Sequence, residues 1–181
     1  MKKLLLLTAF AGFALFANAQ SETFHAFKVD VGFGYALPSN GSGTKAGATF
    51  TIQPHYRLTD EFAVGLRMEG AAIGYENNST GDTKISVLAS YCATGEYYFS
   101  NEGFRPFVGA GVGFFDQASA QVNDNTDGNV VVSAATSGFG AFPEVGFEAG
   151  HFRMSVDYNV VGHSNSYASV KIGFFLGGGT K

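Results

Sequence analysis

Large apolar residues occupy every second position along most of the chain. In one stretch Phe27, Val29, Val31, Phe33, Tyr35 and Leu37 alternate with Lys28, Asp30, Gly32, Gly34 and Ala36. A period of two sends successive side chains to opposite faces, so this stretch reads as a strand and not a helix. The pattern returns with Ala48, Phe50, Ile52, Pro54, Tyr56 and Leu58, and again with Phe62, Val64, Leu66 and Met68. A fourth run carries Ile85, Val87, Ala89, Tyr91, Ala93, Tyr97 and Phe99, and a fifth Val108, Ala110, Val112 and Phe114. The sixth is expected from about Phe139 to Phe147. The seventh sets Phe152, Met154, Val156, Tyr158 and Val160 against Arg153, Ser155, Asp157 and Asn159, and the eighth carries Ala168, Val170, Ile172, Phe174 and Leu176.

The connections between these runs alternate in length. Residues 38–45, 76–83, 116–129 and 162–166 form long polar links, whereas the short ones centre on Asp60, Glu102-Gly103 and Gly150-His151. Two unequal ends suit an all-β fold, an eight-stranded antiparallel up-and-down transmembrane β-barrel with short periplasmic turns and longer outer loops. A soluble barrel would show the same period. The polar face separates the two, because here it is mostly Gly, Ala and Ser with a few charges, which suits a narrow lumen. The spans are close to the ~9–11 residues that a tilted strand needs to cross a bilayer. Aromatic residues gather toward the span ends: Tyr56, Phe62, Phe99 and Phe152 near the short turns, and Tyr35, Phe114 and Tyr158 near the long links.

The chain starts with Met1-Lys2-Lys3, an apolar run from Leu4 to Phe16, and Ala17-Asn18-Ala19 before Gln20. This arrangement predicts a secretory signal peptide over residues 1–19 and a barrel domain over 20–181. The apolar run is too short for a membrane-spanning helix. Gln20 stands where a lipoprotein would need Cys, and only Gly177 to Lys181 follow Leu176, too few for a carboxy-terminal domain. With these spans, Phe104-Arg105-Pro106-Phe107-Val108-Gly109-Ala110-Gly111-Val112-Gly113 and Lys171-Ile172-Gly173-Phe174-Phe175-Leu176 make the chain resemble small outer-membrane barrels of the OmpA/OmpX type. The resemblance covers the whole mature chain. It implies residence in the outer membrane of a diderm bacterium, contact with lipid and lipopolysaccharide, and insertion by the barrel-assembly machinery. Lys171, Gly173 and Leu176 match that family's carboxy-terminal assembly signal, although Gly178 stands where the signal has an aromatic residue.

Composition removes other classes. A chain that is 45% hydrophobic and 15% aromatic is not disordered. One cysteine, Cys92, builds neither a disulfide nor a thiolate zinc site. A net charge of −4 without a basic run argues against nucleic acid. The polar face carries Lys28, Arg57, Arg67, Arg153 and Lys171 against Asp30, Glu69, Glu96, Glu144, Glu148 and Asp157, a near balance that predicts a salt-bridged lumen. An eight-stranded barrel is just wide enough for side chains to fill, and Leu88, Tyr75, Tyr98, Phe115 and Phe175 share the inward parity.

Candidate catalytic and metal motifs fall short. Adjacent His163 and Ser164 in Gly162-His163-Ser164-Asn165 would point oppositely along a strand, unlike the serine and histidine of outer-membrane lipid A deacylases. Asn123-Asp124-Asn125-Thr126-Asp127-Gly128 resembles half a calcium loop, but Ala134 stands where the bidentate Glu belongs. His25, His55, His151 and His163 lack ligand spacing. No cofactor or metal is expected. The sequence therefore suggests a monomeric, non-enzymatic barrel that displays outer loops for adhesion or partner contact. A small porin or conduit for apolar molecules is the alternative, and lipid A or phospholipid hydrolysis a third.

Overall fold

The computed structural model describes residues 21, 23–39, 44–76, 83–122, 130–161 and 166–181. The expected signal peptide, the calcium-like motif and the His163-Ser164 pair lie outside these residues. Eight strands follow in chain order: β1 (Phe27–Pro38), β2 (Thr44–Arg57), β3 (Phe62–Glu76), β4 (Thr83–Tyr98), β5 (Phe104–Val122), β6 (Val130–Ala149), β7 (Phe152–Val161) and β8 (Tyr167–Gly177). Each pairs antiparallel with its neighbour, and β1 pairs with β8 from Lys28 opposite Gly177 to Pro38 opposite Tyr167, which closes the barrel. Closure leaves no edge at bilayer depth, so the backbone hydrogen bonds are made internally.

Side-chain parity is as the alternation predicts. Phe33, Tyr35, Leu66, Val112, Phe114, Phe139, Phe174 and Leu176 are exposed on the outer wall, while Lys28, Arg57, Arg67, Glu96 and Glu148 are fully buried inside. An apolar outside around a charged inside inverts the usual soluble arrangement and matches a lipid solvent. The outer aromatics contact one another along the wall. Near the short turns Phe104, Phe147, Phe152 and Phe174 form a chain with centroids 4.9, 6.2 and 6.2 Å apart. Toward the other end Phe33 meets Phe50 at 5.0 Å and Phe114 meets Phe139 at 5.9 Å. Gly103 and Gly150 sit in the short turns with φ of 48° and 60°, a conformation that a Cβ would strain.

The strands differ in height. β7, β8 and β1 have 10, 11 and 12 residues, whereas β5 and β6 have 19 and 20. This corrects the expectation of a loop over residues 116–129. β5 continues through Asp116 to Val122, β6 begins at Val130, and the two remain paired from Phe104 opposite Ala149 to Val122 opposite Val130. β4 accompanies β5 up to Val122, so a raised wall stands on one side of the barrel. β6 pairs with β7 only from Gly140 opposite Val161 downward. Among the described residues, 130–139 of β6 therefore have a partner on one side only.

The N-terminal segment was not foreseen as structure. Phe24 bridges Thr180, the His25 amide donates to Gly179 O and the Lys181 amide to Thr23 O, both at 2.9 Å. Asp60, in the β2–β3 turn, accepts from the Ser21 hydroxyl, from the Thr23 amide at 3.1 Å and from the Thr23 hydroxyl at 2.9 Å. Phe24 is thereby carried under the barrel mouth and is only 4% exposed. The C-terminal segment turns to meet it because Gly177, the last residue of β8, and Gly178 after it have φ of 74° and 63°. A Cβ at Gly178 would sit 2.8–3.0 Å from the stem of Lys28, so no aromatic side chain fits there.

Candidate functional site

The lumen holds two ion clusters. The one nearer the long-strand end centres on Glu69 and Asp157. Lys171 Nζ lies 2.8 Å from Glu69 Oε2 and 2.6 Å from Asp157 Oδ2. Arg67 Nη1 lies 3.4 Å from Asp157 and 3.7 Å from Glu69, while its Nη2 donates to Asn159 at 2.5 Å. The Tyr167 hydroxyl donates to Glu69 at 2.7 Å and Ser169 to Asp157 at 2.8 Å. The guanidinium of Arg67 lies over the ring of Phe142, 3.3 Å from its centroid.

The second cluster fills the short-turn half. Arg153 reaches four carboxylates: Glu96 at 2.5 Å, Glu148 at 3.0 Å, Glu144 at 3.4 Å and Asp30 at 3.6 Å. Lys28 pairs with Glu148 and lies 3.2 Å from Asp30. His55 Nε2 is 2.8 Å from Asp30 and its Nδ1 3.6 Å from Glu96. The Tyr98 hydroxyl lies 2.6 Å from Glu96 and 2.9 Å from Glu148. Between the clusters Asp30, Thr51, Gln53, Glu144, Ser155 and Lys171 line a cavity of about 20 Å³, enough for one water molecule.

Every charged residue expected inside is buried there, and each has an opposite charge within 4 Å. Sequence reasoning missed Arg105, which is buried in β5 and lies 3.4 Å from Glu148. Its parity matches the inward Phe107 and Gly109, but the expected alternation begins only at Val108. With it, Lys28, Arg57, Arg67, Arg105, Arg153 and Lys171 stand against Asp30, Glu69, Glu96, Glu144, Glu148 and Asp157. Formal charge balances within the described lumen, which burial of so many ions requires. His55 was also passed over, because its partners come from β1 and β4.

Aromatic side chains fill the space that inward glycines leave. A Cβ at Gly111 would lie 2.4 Å from the ring of Phe142, one at Gly140 2.7 Å from Phe115, and one at Gly146 2.6 Å from Phe107. Toward the long-strand end Ile73, Leu88, Cys92, Phe115, Phe142 and Tyr167 form an apolar cluster, and Tyr98 and Phe107 form another below. Cys92 is thus a packing residue. Such a filled lumen should carry no steady ionic current, and planar-bilayer recordings of the refolded barrel check this. Reproducible single-channel steps that change in a Gly111→Phe variant would show an open seam instead.

At the mouth, burial pushes the Asp60 carboxyl up, but the hydrogen bonds from Ser21 and Thr23 outweigh it and hold the group below its ordinary value. A lower folded value means that the contact stabilises the fold above the unfolded pKa and fades as pH falls through the folded one. Lys171 and Gly173, two of the three residues expected to form an assembly signal, face inward from β8, while Leu176 is exposed on the outer wall. Among the described residues, no three His, Cys, Asp or Glu side chains are placed to hold a metal ion.

Comparison with known proteins follows the same lines. The outer membrane protein beta-barrel domain model matches residues 5–177. The crystal structure of Ail, the attachment invasion locus protein of Yersinia pestis, in complex with the heparin analogue sucrose octasulfate, is similar in fold. It has a TM-score of 0.54 at 11% identity, and the match covers 86% of this chain and 99% of that one. The outer membrane protein OprG from Pseudomonas aeruginosa gives a TM-score of 0.51 at 15% identity over 88% of this chain and 100% of that one. A search of curated protein sequences gives no match.

Proposed function

From the premise that the chain belongs to the outer membrane protein beta-barrel domain family and resides in the outer membrane, we propose a non-enzymatic scaffold that displays its raised wall to surface partners. The observation that carries this reading is the upper part of β6. Among the described residues, 130–139 leave their β7-side backbone groups unpaired, and the sequence there has neither charge nor proline to block pairing. Such an edge is a template on which an extended segment of another protein can add a strand. The barrel below is closed and charge-paired, and so serves as an anchor.

Adhesion fits this geometry, and Ail, the similar fold, is an attachment protein by its description. A polyanion like its sucrose octasulfate ligand does not fit here. In the sequence, the links expected to be long, with Lys84 just beyond one of them, carry Lys45 and Lys84 against Glu76, Asp82, Asp116, Asp124 and Asp127. In this reading Lys171, Gly173 and Leu176 act during insertion by the barrel-assembly machinery, lipid and lipopolysaccharide cover the outer wall, and the barrel is a monomer.

The test replaces residues 118–134 with a short Asn-Gly turn, which removes the raised ends of β5 and β6 and leaves the barrel. Cells expressing the shortened chain should bind epithelial and bacterial surfaces about tenfold less than cells expressing the full chain, and neither should bind heparin. Unchanged adhesion with a normally folded shortened barrel would refute the display reading.

A further inference from the structure

The short-turn mouth carries two arginines with too few acceptors. Arg57 Nη2 and Arg105 Nη1 lie 3.5 and 3.4 Å from the same oxygen, Glu148 Oε2. Oε1 of that carboxylate is already occupied by Lys28 and Arg153. Among the described residues, Arg57 Nε, Nη1 and Nη2 and Arg105 Nη2 are buried without a hydrogen-bond partner. Buried N–H groups of a cation are costly to leave unmet. What covers them is aromatic. Phe24 lies 4.8 Å from the Arg57 guanidinium and 4.1 Å from that of Arg105, and Tyr98 lies 4.8 and 4.5 Å from the same two groups.

Tyr98 is fixed in β4, but Phe24 is not on a barrel strand. It rides on the N-terminal segment, held by Asp60 and by the bridge to Thr180. Beside it opens a depression of about 470 Å³, whose lining includes Phe24, Arg105, Asn101, His151 and Phe175. Buried cations, unmet donors, a cover outside the barrel wall and an adjoining open space occur together.

We propose that Arg57 and Arg105 form a binding site for a phosphate-type oxyanion at the short-turn mouth, and that Phe24 covers this site until the anion displaces it. Two planar guanidinium forks with four unmet nitrogens match a tetrahedral group that offers several acceptor oxygens. A single carboxylate, Glu148, has already saturated its own capacity on the inner side. The phosphate can come from solution or from a phospholipid headgroup of the adjacent leaflet, because the chemistry recognised is the same.

Titration of inorganic phosphate, and separately of dihexanoyl phosphatidylglycerol, into the refolded barrel in neutral maltoside detergent tests the site. Calorimetry gives the affinity, and the amide signals of His25 and Thr180 report on the cover. Saturable binding that shifts both signals is expected from at least one probe. Phosphate alone points to a soluble ligand, and the lipid alone to a headgroup. Phe24→Ala removes a competitor and should tighten binding about fivefold. Arg105→Gln should weaken it about tenfold or more. Should Arg57→Gln fail to fold, Arg105→Gln and Phe24→Ala still decide the matter, since both residues lie at the mouth. No saturable binding of either probe to Phe24→Ala, or full affinity in folded Arg105→Gln, overturns the proposal.

Discussion

Arg153→Ala should lower the unfolding free energy of the refolded barrel by about 3–5 kcal/mol, the usual effect of removing one member of a buried ion pair. Arg153 is the cation with most acidic contacts in the described lumen, reaching Asp30, Glu96, Glu144 and Glu148 at 2.5–3.6 Å. Without it those carboxylates must share Lys28, His55 and the two mouth arginines, all of which already have partners. Low local dielectric magnifies the loss, because Arg153 and its four partners are all buried. Glu102→Ala, on an exposed turn, gives the contrast and should change stability by no more than about 0.5 kcal/mol. Urea unfolding in detergent, followed by tyrosine fluorescence, measures both. A loss below about 1 kcal/mol for Arg153→Ala would mean that water screens the lumen.

The second large effect is expected at the seam that closes the barrel. Gly173 in β8 sits opposite Gly32 in β1, and a Cβ there would lie 2.1 Å from Val31 O and 2.7 Å from Gly32 Cα. Both contacts are backbone atoms of the neighbouring strand, so no rotamer change relieves them. Gly173→Val should therefore cost roughly 3 kcal/mol, the upper end for an overpacked site, and should sharply reduce the fraction of chains that close. Gly70→Val provides the control, since nothing lies within 4 Å of a Cβ at that position. Closed barrels resist detergent, because their backbone hydrogen bonds are internal. Electrophoresis with and without boiling thus reads the closed fraction directly. Equal closed fractions for the two variants would show that the seam can widen without penalty.

Legibility in the sequence followed the solvent. Where one face meets lipid and the other a charged lumen, contrast between neighbours is strong, and the parity of Lys28, Arg67, Glu96 and Lys171 could be read directly. Above the bilayer both faces of a strand are wet. The contrast then disappears, and residues 116–129, rich in Asn and Asp, suggest a loop although 116–122 are paired strand. Which ions pair with which was invisible for a different reason. Arg67 and Asp157 are 90 positions apart, and only the closed register brings them together. The segment before β1 has no period at all, so nothing local announced that Phe24 would cap Arg57 and Arg105.

The meeting of the two chain ends bears on how fast the barrel can form. The Lys181 ammonium donates to Ser21 O across 160 positions, and the β1–β8 ladder joins nearly as distant a pair of segments. Closing a fully flexible loop of that length costs roughly 4–5 kcal/mol of chain entropy at body temperature, a cost that prior pairing of neighbouring strands lowers. Of the paired strands, β1 and β8 alone are distant in sequence, so this seam is the slow, non-local step of closure. Until β8 arrives, β1 is an unpaired apolar edge prone to stick to other chains. The residues that make the finished wall secure are thus the ones that leave the unfinished chain exposed longest, so its need for protection peaks just before the last strand docks.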